Sequence, residues 1–159
     1  MSRTAVTLVE LDDVVAQQVR GESASSRAFA AGFPRGEDLD ALAAWERGAM
    51  GFLIVDGEGR VVGTCGTHGA PAAGVVELGF GLVQCARGVG VGGETVDLLL
   101  AAVRERHPAA RVVARTQWEL VDGVAVAASP ASEAILERRG FIPDPAPVDR
   151  ATRGWSLKA

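Results

Sequence analysis

Between Cys85 and Leu100 the sequence reads CARGVGVGGETVDLLL, with Gly88, Gly90, Gly92 and Gly93 directly before a leucine-rich run. Glycine loses conformational entropy on folding and adds no packing, so such a cluster implies that something must come close to the main chain. A strand, a glycine loop and a helix in that order present backbone N–H groups at a helix N-terminus, where they hold an anion such as phosphate. A tight turn or a close helix–strand contact is the plainer use of glycine, and one or two residues suffice for it. The P-loop does not fit, because it ends in Gly-Lys-Ser/Thr and the loop contains no lysine. Gly88-Val89-Gly90-Val91-Gly92-Gly93 does satisfy the dinucleotide pattern G-x-G-x-x-G. Its context speaks against that use: an antiparallel meander precedes it, and the next strand ends without an acidic residue to hold a ribose.

The other reactive side chains form no familiar constellation. Cys65 and Cys85 have neither zinc-ligand spacing nor the pattern of a disulfide framework and read as reduced thiols. Nothing near Cys85 marks it as a nucleophile, and neither histidine stands in a Ser-His-Asp context. No metal is expected. A net charge of −4 argues against a nucleic-acid groove, which needs a basic surface. No apolar run reaches the ~20 residues of a membrane span, and no segment has the form of a signal peptide. The 159 residues, 48% hydrophobic and 23% charged, are therefore expected to form one soluble, cytoplasmic domain spanning 1–159.

Several elements must position the loop. TAVTLVE reads as a strand and DDVVAQQVR as a helix closing at Gly21, followed by an irregular stretch around Phe33-Pro34. Leu39, Leu42 and Trp45 then recur at helical spacing up to Gly48. Two β-rich runs flank Asp56-Gly57-Glu58-Gly59, a strong hairpin signal. GAPAAG makes a second turn before VVELGFGLV, whose alternation marks a third antiparallel strand. Val96, Leu99, Leu100 and Val103 mark the buried face of the helix after the loop, which stops at His107-Pro108. RVVART is another strand, and QWELVDGVAVAA reads as a connection. SPASEAILERRG is a last helix with Ser129 as N-cap and Gly140 at its end. Pro143, Pro145 and Pro147 stiffen a loop before a final strand, RGWSLK.

Arg87-Gly88-Val89-Gly90-Val91-Gly92 matches R-x-x-G-x-G, and in this respect the chain resembles the GNAT superfamily of N-acetyltransferases. VELGFGLV resembles the fourth strand of that fold, and SEAILERRGF its final helix with the Gly-Phe that opens the sixth strand. ELGFGL, Glu94 after the loop and the S-x-x-S…LERRGF ending are similar to the branch of ribosomal-protein N-terminal acetyltransferases. The likeness covers nearly the whole chain and is most specific over 75–141. It departs where Ser129-Pro130-Ala131-Ser132 stands in place of the branch's Asn-x-x-Ser, and where the connection 117–128 is longer.

The resemblance implies an α+β fold. Its mixed, mostly antiparallel sheet is splayed between the fourth and fifth strands and flanked by helices. It implies acetyl-CoA as co-substrate, with the pantetheine arm between the splayed strands against the main chain of Leu82 and Val83. The pyrophosphate would lie on the N–H groups of Arg87, Gly88, Val89, Gly90, Val91 and Gly92, with Ser129 also on the cofactor side. Attack by an amine requires a base. Glu77 is the candidate, on the face opposite Val76, Leu78 and Phe80, and His68 is the alternative because imidazole titrates near neutrality. Many relatives protonate the leaving thiolate with a Tyr, and this chain has none. Ser132 is the replacement candidate. The leading expectation is direct acetyl transfer from acetyl-CoA to an amine, on a small molecule or a protein N-terminus, and a homodimer is compatible with it. The alternative is a CoA-binding or regulatory protein of the same fold with little or no turnover. The acceptor pocket would come from 21–36, 66–74 and 118–128.

Overall fold

Alternating apolar residues and short turns build the first half of the sheet. In the computed structural model, which describes residues 5–69, 74–145 and 151–157, β1 (Thr7–Glu10) pairs antiparallel with β3 (Gly51–Val55). β3 pairs antiparallel with β4 (Arg60–Thr67), and β4 with β5 (Val75–Leu82). The β3–β4 hairpin turns where Asp56-Gly57-Glu58-Gly59 predicts it. The Asp56 carboxylate accepts the N–H groups of Glu58 and Arg60 at 3.0 and 2.9 Å, and Gly59 takes a positive φ of 80°. The turn expected at GAPAAG and the loop through Pro147 lie largely outside the described residues.

Helix α1 (Asp13–Val19) starts on the Asp12 carboxylate, which accepts the Val15 N–H at 2.8 Å. The irregular stretch after Gly21 contains a two-residue strand, β2 (Ala28–Phe29), parallel to β4, and leads into α2 (Gly36–Glu46). Helix α3 (Val91–Arg106) follows the glycine loop and ends at His107, as its sequence predicts. Val96, Leu99 and Val103 are fully buried along its inner face.

The second half of the sheet is β6 (Arg111–Val121), β7 (Val124–Ala127), β8 (Phe141–Pro143) and β9 (Thr152–Leu157), with α4 (Pro130–Arg138) between β7 and β8. The strand order is β1-β3-β4-β5-β6-β9-β8, with β2 beside β4 and β7 beside β6. All pairings are antiparallel except β2 with β4 and β5 with β6.

One expectation fails. Residues 117–128 are not a long connection: β6 continues to Val121 and returns as β7, with Trp118 opposite Ala127 and Val121 opposite Val124. Asp122 (φ 51°) and Gly123 (φ 79°) make the turn between them. Asp-Gly between two apolar runs is a hairpin signal in its own right, because both residues tolerate the positive φ that such a turn demands.

Adjacent residues of β5 show how the layers sit. A Cβ on Gly81 would collide with the Arg35 guanidinium at the head of α2. Leu82, pointing the other way, comes close to Gly92 of α3. Successive residues of a strand face opposite sides, so α2 and α3 cover opposite faces of the sheet.

Candidate functional site

The parallel pairing of β5 with β6 stops after Leu78 and Ala114. β5 continues to Leu82 on β4 alone, while β6 leaves to pair with β9 and β7. The sheet therefore splays where the resemblance places the opening, and the short β2 shifts the strand count by one. The Glu77 carbonyl accepts from the His68 N–H at 2.8 Å, and the Val83 N–H donates to the Val62 carbonyl at 2.8 Å. Odd-numbered residues of β5 thus turn their main chain toward β4. Alternation turns the main chain of Phe80 and Leu82 toward the opening. Of the two main-chain positions expected to border it, Leu82 does so, and its carbonyl accepts from Arg87 Nε at 3.1 Å. Val83 is tied to β4 through its N–H.

After β5 a 3-10 turn (Gln84–Ala86) leads into the glycine loop. Its glycines serve two different purposes. Gly88 and Gly90 take positive φ values of 77° and 86°, and nothing lies within 4 Å of where their Cβ atoms would be. Gly90 is the N-cap of α3 and offers no side-chain bond to the first turn. The N–H groups there, which have no partner within a helix, are left to an external acceptor at the positive end of a 16-residue helix. Gly92 and Gly93 instead admit α4. A Cβ on Gly92 would stand 2.8 Å from Ile135 Cδ1, and one on Gly93 would stand 2.6 Å from the Arg139 guanidinium, which pairs with Asp97. Val89 is exposed beside the open glycines and Val91 is buried behind them. Glu94, in the first turn of α3, accepts from the Val6 N–H at 3.2 Å and ties the helix to the start of β1.

Glu77 faces the side of the sheet covered by α2 and is 23% exposed. Arg115 of β6, one residue past the last parallel pair, holds Glu77 Oε1 at 3.1 Å, and His68 Nε2 lies 4.0 Å from Glu77 Oε2. The two candidate bases are therefore neighbours. The His68 ring covers Gly79, and the Arg35 guanidinium covers Gly81. Arg35 is held there by Asp38, wholly buried, which accepts from Arg35 Nε (3.0 Å), Arg35 NH2 (2.9 Å) and the Arg35 N–H (2.8 Å). Thr64 Oγ1 donates to the same carboxylate at 2.6 Å. Burial pushes the Cys65 thiol up from its ordinary value, so it stays protonated, while Cys85 is exposed on the 3-10 turn.

Ser129 caps α4, accepting from the Ser132 N–H at 3.4 Å, and the two hydroxyls are 2.8 Å apart. The adjacent Glu133 accepts from Thr116 Oγ1 (2.7 Å) and Trp118 Nε1 (2.8 Å) of β6. Trp155 of β9 donates to Thr116 at 2.8 Å, and Arg153 lies 4.3 Å over the Trp118 ring. This network fixes the head of α4 against the strand that leaves the opening. Arg35, Arg115 and Glu133 carry no signal in the sequence beyond their charge. Asp38 does, as the acidic residue at the third position of a helix, where its carboxylate can reach back to the preceding N–H.

Comparisons with known proteins agree with this geometry. No curated protein matches the chain. An acetyltransferase from Agrobacterium tumefaciens has 24% sequence identity and a TM-score of 0.61, covering 100% of this chain and 96% of its own. A ribosomal α-N-protein acetyltransferase, RimL, in complex with coenzyme A has 16% identity and a TM-score of 0.62, covering 98% and 94%. A dodecameric spermidine N-acetyltransferase from Vibrio cholerae has 12% identity and a TM-score of 0.63, covering 96% and 92%. These likenesses concern the fold. The sequence pattern of the acetyltransferase (GNAT) domain matches residues 4–142, and the chain belongs to that family.

Proposed function

We propose that this protein is an N-acetyltransferase that moves an acetyl group from acetyl-CoA directly to an amine. The observation that carries the reading is the splay after Leu78, continued by a loop whose open glycines lie at an uncapped helix N-terminus. The Cβ-free cradle at Gly88 and Gly90 fits a pyrophosphate, and the first-turn N–H groups of α3 complement its charge. Arg87, with Nε on the Leu82 carbonyl, keeps its terminal nitrogens for the same anion. The main chain of Leu82 borders the pantetheine path, Val83 anchors that edge to β4, and Ser129, the N-cap of α4, is a further cofactor contact.

When bound, acetyl-CoA supplies the activated acetyl thioester. Glu77 removes the proton from the acceptor amine, with Arg115 fixing one carboxylate oxygen and leaving the other toward His68. Ser132 hands a proton to the departing sulfur, and its contact with Ser129 orients the hydroxyl. Isothermal titration tests the cofactor half of the reading: CoA binds the wild-type chain and NADPH does not, and the reverse preference would refute it.

The α4 serines separate structure from chemistry. Ser132→Ala is expected to lower the acetylation rate modestly, by about tenfold, because a thiolate leaves readily without an acid. Ser129→Ala is expected to cost about 1 kcal/mol of stability as a lost cap, with a smaller effect on rate. Thermal melts and steady-state rates on the two variants check this, and a crippled Ser129→Ala beside a silent Ser132→Ala would reverse the assignment.

A further inference from the structure

Three side chains stand at successive same-face positions of β5: Glu77 itself, His68 over Gly79 and Arg35 over Gly81. Each step of two residues along a strand is ~7 Å. Asp38 offers nothing to a ligand, since a carboxylate accepts about four hydrogen bonds and Arg35 and Thr64 fill those places. Arg35, by contrast, spends Nε and one terminal nitrogen on Asp38 and keeps NH1 without an acceptor among the described residues. Its side chain is 19% exposed and pressed on a strand position that only glycine leaves room for. A guanidinium held this rigidly beside the opening is a donor fork for a planar anion. On the other side of the opening Arg115 adds a second cation, and Glu77 is the one carboxylate of this row.

Resting on the acetyltransferase reading, we infer that the acceptor is an amine bearing a carboxylate close by, as in an α-amino acid, with the amine at Glu77 and His68 and the carboxylate on Arg35. His68 Nε2 lies 4.0 Å from Glu77 Oε2, so one amine meets both, and two hydrogen bonds of about 3 Å with the two bonds that separate an α-amine from its carboxyl carbon bridge the single strand step from His68 to Arg35. A polyamine has no such fit, since this row offers it a single carboxylate beside two guanidinium groups.

The test compares the proteinogenic L-amino acids with their carboxamides, and spermidine, as acceptors with acetyl-CoA. Wild-type protein should acetylate at least one amino acid with kcat/KM about ten- to a hundredfold above its carboxamide, the effect of one hydrogen bond to a charged group. Arg35→Gln with Asp38→Asn removes both charges together, so that no carboxylate is left buried alone. That pair should bring the ratio close to one. Gly81→Ala, which displaces Arg35 and leaves its charge, should lower the ratio in the same direction. Equal rates on acid and amide, preference for spermidine, or a ratio that survives in both variants would overturn the inference. Should wild-type protein acetylate no amine, the acetyltransferase reading fails, and saturation-transfer NMR on the same amino acids then decides the subsite by itself. Binding that is present in wild type and absent in the double variant supports it, and equal signals from both, or none from wild type, reject it.

Discussion

Glu77→Gln is expected to lower kcat by about a hundred- to ten-thousandfold, the range for a lost general base, while leaving CoA affinity unchanged. The substitution keeps the size of the side chain and a carbonyl oxygen for Arg115. It removes an ion pair whose partners are both partly exposed, which is worth at most about 1 kcal/mol. A loss of three orders of magnitude could not come from that contact, so the kinetic effect reports the base. The two neighbours are separated by their variants: the large loss of kcat should appear in Glu77→Gln and not in His68→Ala. If instead His68→Ala carries the loss and Glu77→Gln does not, the base is the imidazole.

Gly90→Asp is expected to abolish CoA binding while leaving the fold intact. Most residues would be strained at a φ of 86°, but Asp and Asn are the side chains that tolerate this region best. The variant therefore places a carboxylate in open space where the pyrophosphate would lie, at little cost to α3. Gly90→Asn carries the same shape without the charge and should retain part of the affinity. Titration calorimetry with CoA and thermal melts of the three proteins check this. The loop assignment fails if Gly90→Asp binds CoA as tightly as wild type. The same substitution at Gly92 would test nothing, because a side chain there collides with Ile135 and disturbs the contact between α3 and α4.

The sequence made the local elements legible because each carries its own physics. Asp12, Ser129 and the Asp56 turn appear where hydrogen-bonding side chains punctuate the chain. The splay was legible only through resemblance, since no local pattern says that β6 abandons β5 after Ala114. The β6–β7 hairpin was missed although Asp122-Gly123 marks it. The resemblance places a connection there, and with Leu120, Val121 and Val124 all exposed the two runs have no buried face to mark them. The Arg35–Asp38–Thr64 cluster was beyond reach for a different reason. It joins a helix start to a strand 26 residues away, and only the packing of α2 on the sheet brings them together. In the sequence the glycine loop looks like one unit, yet only Gly88 and Gly90 are open, and Gly92 and Gly93 serve helix packing.

Transfer of the acetyl group to an amine in one direct step is tested by mass spectrometry of both protein and acceptor. With acetyl-CoA alone the protein mass should stay unchanged, Cys85 included. With an amine acceptor added, free CoA and an N-acetylated product should appear in equal amounts and be lost together in Glu77→Gln. CoA that binds without any amine becoming acetylated, or an acetyl group that settles on the protein before reaching the amine, would contradict it.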